Sequence, residues 1–312
     1  WELFILELAL ACAGFPRISL MNDRTTSPVA DSVTDHVNNS AAAGAAPPRT
    51  SDEIERVFGD QEPVPSPASA RAEWSRYLAF LKQPRLVALD SEGQSWRAVF
   101  RMLGLDLAIM LVFIGTISAA AAMGFELPEN VNNSLEPGLT AIALVVIAAP
   151  LLEELAFRSW LRGHPAIIAG VAMVVVGLGA IPAIGMTLFE GLAGQIMAIV
   201  GLGLALIGAP LAAWRLLNRE TPDLFQRRFP FWFWLSTLAF ALIHLGNYSD
   251  LSWSTLAILL PLILPQFALG TMLGYLRVHY GLAQAIALHA AHNAILFGLA
   301  MAGGLGGEAP GA

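Results

Sequence analysis

The chain has 312 residues, 56% hydrophobic and only 13% charged, with a mean hydropathy of +0.61. It is too apolar for a soluble domain of this size and has the composition of a polytopic membrane protein. The net charge of −7 comes mostly from acidic residues in the N-terminal third and in loops, no basic stripe marks a nucleic-acid surface, and the single cysteine, Cys12, excludes an internal disulfide framework and a thiolate metal cluster.

Residues 3–14 are apolar, but Glu2 and Glu7 stand where a signal peptide carries positive charge. Met21 opens M-N-D-R-T-T-S-P like an ordinary start, so residues 1–20 read as a non-native or upstream segment. Residues 21–70 are rich in Ser, Thr, Pro, Asn, Asp and Ala, bury too little to fold, and read as a disordered cytoplasmic tail. Residues 71–101 mix Trp, Tyr and Phe with basic residues, which suits a juxtamembrane linker or an interfacial helix on an anionic leaflet.

From residue 102 a series of apolar runs follows, each long enough to cross the hydrocarbon core. They are 102–123, 138–157, 165–185, 192–214, 230–246, 255–276 and 282–302. The expected fold is therefore all-α, a polytopic transmembrane helix bundle of about seven spans, or eight if the N-terminal apolar segment counts. Residues 303–312 read as a flexible tail. Arg and Lys alternate between successive loops: Arg76, Lys82, Arg85, Arg97 and Arg101 precede the first span, whereas 124–137 has none. The alternation puts the N-terminus in the cytoplasm and the C-terminus outside.

Ionisable groups inside spans are costly, so each is a candidate for function. Here they are Asp106, Glu153, Glu154, Arg158, His244, His289 and His292, with Asn293 as a neutral companion. Asp106 lies within about two turns of the interface and reads as structural. Glu154 and Arg158 are four apart and can pair, while Glu153 points about 100° away from Glu154. The two carboxylates are thus expected in different environments, one neutralised and the other projecting into a cavity. His289 and Asn293 share a helix face. A carboxylate and a histidine can deprotonate water, and a second histidine with an amide can stabilise an oxyanion. No serine sits in G-x-S-x-G and H-E-x-x-H is absent. No cofactor is expected; the alternative is a zinc ion on Glu153, His244 and His289.

The motifs E-E-x-x-x-R (Glu153, Glu154, Arg158), F-x-x-x-H (Phe240, His244) and H-x-x-x-N (His289, Asn293) occur in that order on three apolar spans. This pattern resembles the CAAX-protease and bacteriocin-processing (CPBP, or Abi) family of intramembrane endopeptidases over about residues 100–302. The resemblance implies a glutamate-dependent peptidase, formerly regarded as a metalloprotease. Glu153 would be the base and His244 its partner. His289 and Asn293 would bind the oxyanion, and Glu154 and Arg158 would position the site. It also implies a peptide or membrane-protein substrate, a lipid bilayer and no nucleic acid. Sixteen arginines against one lysine, with abundant Ala and Gly, point to a bacterial inner or plasma membrane. A catalytically silent binding or immunity protein on the same fold is the alternative, and a proton-coupled transporter is disfavoured by the lack of an inverted repeat.

Two features depart from the pattern. Eighty-one residues separate Arg158 from Phe240, and the excess reads as an inserted hairpin, 165–214. The span limits also put Glu153 and His289 toward the cytoplasmic side, with His244 roughly 20 Å above the start of its helix. Convergence requires that span to begin outside the core, or span two to run on to Arg162.

Overall fold

The computed structural model describes residues 67–87, 89, 95–125, 128, 138–181, 184–185, 191–248 and 252–302. The segment 1–20, the tail up to residue 66 and residues 303–312 lie outside them. The described residues form a set of helices. They are α1 (Ala70–Lys82), α2 (Ser95–Ala122), α3 (Leu139–Arg162), α4 (Pro165–Ala180), α5 (Leu192–Leu216), α6 (Asp223–Arg227), α7 (Phe229–Asn247), α8 (Trp253–Leu262), α9 (Leu264–His279) and α10 (Leu282–Ala302). The expected all-α membrane bundle is what forms. Among the described residues, α2, α3, α5, α7 and α10 are long and apolar enough to cross a membrane, and α4 is a shorter apolar helix.

The span expected at 255–276 is two helices, α8 and α9, which meet at Ile263. Pro261 and Pro265 flank the break: each removes a backbone N–H, and its ring crowds the preceding turn. Prolines also shape the other spans. Ala143–Ala148 in α3, Val176–Ala180 in α4 and Leu204–Gly208 in α5 are π-helical. Each π turn closes on an N–H bonded five residues back: Ala149 to Leu144 O, Ile181 to Val176 O and Ala209 to Leu204 O. In all three places the next residue is proline (Pro150, Pro182, Pro210). A proline that cannot donate, with a ring that pushes on the carbonyl four back, is relieved by widening the turn before it.

The end of α3 is set locally. The α-helix stops at Phe157, Ser159–Arg162 forms a 3₁₀ turn, and Gly163 takes the left-handed conformation (φ 79°). A Cβ there would lie 2.4 Å from Thr221 Cγ2 and 2.6 Å from Phe225 Cδ1, so glycine allows both the turn and the close return of the chain after α5. His164 then caps α4 by accepting the Ala166 N–H at Nδ1, with Pro165 in the first turn. Helices α4 and α5 pack along each other and join the bundle near this turn.

Helix α9 is the centre of the bundle. Every residue from Leu269 to Tyr280 is buried, as expected of a helix apolar on most faces, and Phe229, Phe233 and Phe240 of α7 pack against it in the core. Large apolar side chains on the outer faces of α2, α4 and α5, such as Leu111, Ile199 and Ile207, are exposed, as a lipid-facing surface requires. Helix α1 docks on this core rather than lying free. Ser69 caps it, and Glu73, Tyr77 and Phe80, spaced four and three apart, turn inward. Glu73 is fully buried and accepts hydrogen bonds from Tyr275 Oη (2.6 Å) and Tyr280 Oη (2.8 Å), with Arg76 at 3.4 Å and Arg101 at 3.5 Å. Arg76 also donates to Tyr280, and Tyr77 bonds Thr271 of α9 at 2.5 Å.

Replacing Glu73 by Ala leaves two buried phenols and two guanidinium groups without their shared acceptor, a loss of about 3 kcal/mol. The expected outcome is a lower melting midpoint and trypsin cleavage after Arg76 under conditions in which the wild type resists it. Burial pushes the Tyr77 phenol up to about 12. Its contribution to docking is complete below about pH 10, where the unfolded phenol still holds its proton, and is lost as pH rises from about 10 to about 12. Tyrosinate absorbance and α1 proteolysis should rise together over that window, and Tyr77→Phe should weaken the coupling, leaving the part due to Tyr275 and Tyr280.

Candidate active site

The polar residues of the site come from α3, α7, α9 and α10. On α3, Glu154 and Arg158 lie one turn apart and pair at 3.0 Å, both fully buried. The Arg158 guanidinium sits 3.8 Å from the Phe240 ring centroid, and Nη2 is 3.5 Å from the Gly270 carbonyl. A Cβ on residue 270 would come within 3.1 Å of Arg158 Nη2 and 3.0 Å of Phe240 Cδ1, so glycine lets the α9 backbone close over the charge. Arg277, also on α9, donates to the carbonyls of Arg158 (2.9 Å) and Ser159 (2.7 Å). These are end-of-helix carbonyls, which lack donors within their own helix and carry the negative end of its dipole.

The register of α7 on α3 decides where His244 falls. Trp232 packs on Trp160 (6.4 Å), Ser236 Oγ donates to Phe157 O (2.5 Å), and Phe240 meets Phe157 (5.8 Å) and Arg158. The helices run antiparallel, so the next turn of α7 brings His244 level with the Glu153–Glu154 turn. The apparent vertical mismatch arises from ending span two at 157. The helix continues as the 3₁₀ turn to Arg162, which moves the carboxylates away from the span end. His244 and His289 both meet the Phe240 ring edge-on, with centroids 4.8 and 5.5 Å away. Its Nδ1 is 2.7 Å from Phe240 O. A carbonyl only accepts, so Nδ1 carries the proton and Nε2 is left with the lone pair.

His289 of α10 stands between the two carboxylates. Its Nδ1 is 3.1 Å from Glu154 Oε1 and its Nε2 is 3.7 Å from Glu153 Oε2. The carboxylates share this one imidazole, yet their surroundings differ as their separation around the helix leads one to expect, since only Glu154 is paired with Arg158. They differ in access: the Glu154 side chain is fully buried and that of Glu153 is 27% exposed. Glu153 Oε2 and Glu154 Oε2 are buried and have no hydrogen bond among the described residues. Asn293, one turn beyond His289, donates through Nδ2 to the Val145 carbonyl at 2.8 Å. Asp106 is 2% exposed and bonds His292 Nδ1 at 2.7 Å, tying α2 to α10.

The sequence motifs thus supply Glu153, Glu154, Arg158, His244 and His289, which the fold brings to one place, with Asn293 a turn further along α10 and bonded to the π segment of α3. Sequence reasoning missed Gly270 and Arg277; the only signal was a glycine and an arginine seven apart, hence on one face of an apolar helix. It also missed the Asp106–His292 pair, which no local spacing reveals. Among the described residues no three His, Cys, Asp or Glu side chains group as ligands of a metal ion. Glu153, His244 and His289 do not form such a set. The arrangement can hold a water between a partly exposed carboxylate and a basic imidazole nitrogen, with an imidazole and an amide nearby as donors.

Comparison with curated proteins and with solved structures found no match. The family model described as type II CAAX prenyl endopeptidase Rce1-like matches residues 135–295, a stretch that contains all three motifs and the α4–α5 hairpin. On that match the chain belongs to the Rce1-like family, whose members are CAAX-type intramembrane proteases.

Proposed function

We propose that this protein hydrolyses a peptide bond of a substrate that reaches it from the bilayer, and that it does so with Glu153 as the base. The observation that carries this reading is the His289 imidazole set between two carboxylates of unequal exposure, with Arg158 paired to the buried one. Glu153 takes one proton from a water that His244 Nε2 orients as an acceptor; the water attacks the scissile carbonyl, and Glu153 returns the proton to the amine nitrogen as the C–N bond breaks, with no covalent intermediate. His289 donates from Nε2 to the developing oxyanion. With Nδ1–H already on Glu154, that role requires the imidazolium. Asn293 supplies the second donor through the amide proton not used on Val145. Glu154 and Arg158 hold the ring of His289 in place. The substrate is a peptide or membrane-protein segment, the catalysis needs no metal, and the setting is a bacterial inner or plasma membrane with the N-terminus cytoplasmic. The distribution of Arg and Lys among the loops supports that orientation.

Glu153→Ala should lower cleavage of a farnesylated C-a-a-X peptide by about 10³-fold while membrane insertion and the melting midpoint stay at wild-type values. A strong zinc chelator should leave the wild-type rate unchanged. Cleavage by the Glu153→Ala protein at the wild-type rate would sink the assignment. Gly270→Ala puts a methyl group against Arg158 and Phe240. It should lower kcat about tenfold with a stability loss of about 1–3 kcal/mol, read by steady-state kinetics and thermal melting.

A further inference from the structure

In α3 the Ala149 N–H bonds Leu144 O, five residues back. The Val145 carbonyl would accept from residue 149 in an α turn or from residue 150 in a π turn. The first N–H is already engaged, and the second does not exist because residue 150 is proline. An unpaired carbonyl inside a membrane-spanning helix is costly. Asn293 Nδ2 from α10 meets it at 2.8 Å. The same proline is buried and begins the α-helical turns that carry Glu153 and Glu154.

We propose that Pro150 is a positioning residue for the reaction: by withholding an N–H it keeps the Val145 carbonyl as an acceptor that orients the Asn293 carboxamide. This rests on the reading of Asn293 as an oxyanion donor. A primary amide has two N–H groups in one plane. Anchoring one on Val145 fixes that plane and commits the other, so the donor is set before substrate arrives rather than ordered during the reaction. Alanine at position 150 has an N–H to return to the ladder. The turn can then close, the Val145 carbonyl gains a helical partner, and the Asn293 amide is free to rotate about its side-chain bonds. Pro210, which follows the same kind of π turn in the α4–α5 hairpin, provides a control with the same backbone chemistry away from the site.

The test uses the full chain in proteoliposomes and an internally quenched peptide with a farnesylated cysteine four residues from its C-terminus. Pro150→Ala should melt at or above the wild-type temperature, because it restores a helical hydrogen bond. Its kcat should nevertheless fall about tenfold, less than the loss from deleting an oxyanion donor outright, with KM within twofold. Pro210→Ala should keep the wild-type kcat. The Pro150→Ala/Asn293→Ala protein should be no slower than Asn293→Ala alone, since both changes remove one function. Wild-type kcat in Pro150→Ala, multiplicative losses in the double variant, or a rate loss matching a loss of folded protein would each overturn the proposal. The side-chain amide ¹⁵N resonance of Asn293, identified by its disappearance in Asn293→Ala, should move in Pro150→Ala and stay in Pro210→Ala. An unmoved resonance overturns the proposal even if the wild type fails to cleave the peptide, an outcome that by itself counts against the peptidase reading.

Discussion

The guanidinium of Arg158 is fully buried within a span, and much of the architecture answers to that one charge. Removing a full charge from water costs several kcal/mol unless partners replace the lost hydration. Here Glu154 supplies the counter-charge, the Phe240 face a cation–π contact, and the Gly270 backbone an oxygen. Each partner constrains a helix. Phe240 sets the depth of α7 and so brings His244, one turn later, to the level of the carboxylates. Gly270 draws α9 to a separation that a side chain would prevent. Glu154, oriented by Arg158, presents the oxygen that holds His289 of α10.

Helix α9 connects this pair to the rest of the molecule because it is used on two sides. Gly270 and Arg277 are seven apart, two turns on one face, and both contact the end of α3. Thr271 and Tyr275 are four apart on another face, and both contact α1. The buried Glu73 therefore anchors α1 to the same helix that supports Arg158. Residues 70–82 precede the stretch matched by the family model, yet they pack into the core that the matched helices share.

What could be read from the sequence follows from how membranes select residues. In a chain this apolar, the few ionisable groups inside spans stand out, and the i, i+4 relation of Glu154 and Arg158 needs no tertiary knowledge. The three motifs in order therefore marked three helices that the fold brings together. Glu73 did not stand out, since a carboxylate among Arg71, Arg76 and Trp74 looks like one more group on a solvated face. Only the tyrosines of α9, some two hundred residues on, explain it. The partner of Asp106 was hidden for the same reason: nearness to a span end is local, while His292 is distant in sequence. The break at Ile263 had a visible cause in Pro261 and Pro265, but hydropathy outweighed it because both halves are apolar. The π turns likewise had a signal, a proline after each, that a hydropathy window does not register.

The adjacency of Glu153 and Glu154 has a consequence that separation by a full turn would not. Carboxylates four apart would share one face, and a histidine from α10 would meet both in the same surroundings. Neighbours on a helix diverge by about 100°, so a ring placed between them can turn one nitrogen to each. One carboxylate then points back into the bundle, to be paired with Arg158, while the other stays partly exposed. Because a single imidazole spans both, any displacement of the buried pair is transmitted to the nitrogen that faces Glu153. The fully buried charge thereby fixes the geometry around the partly exposed carboxylate.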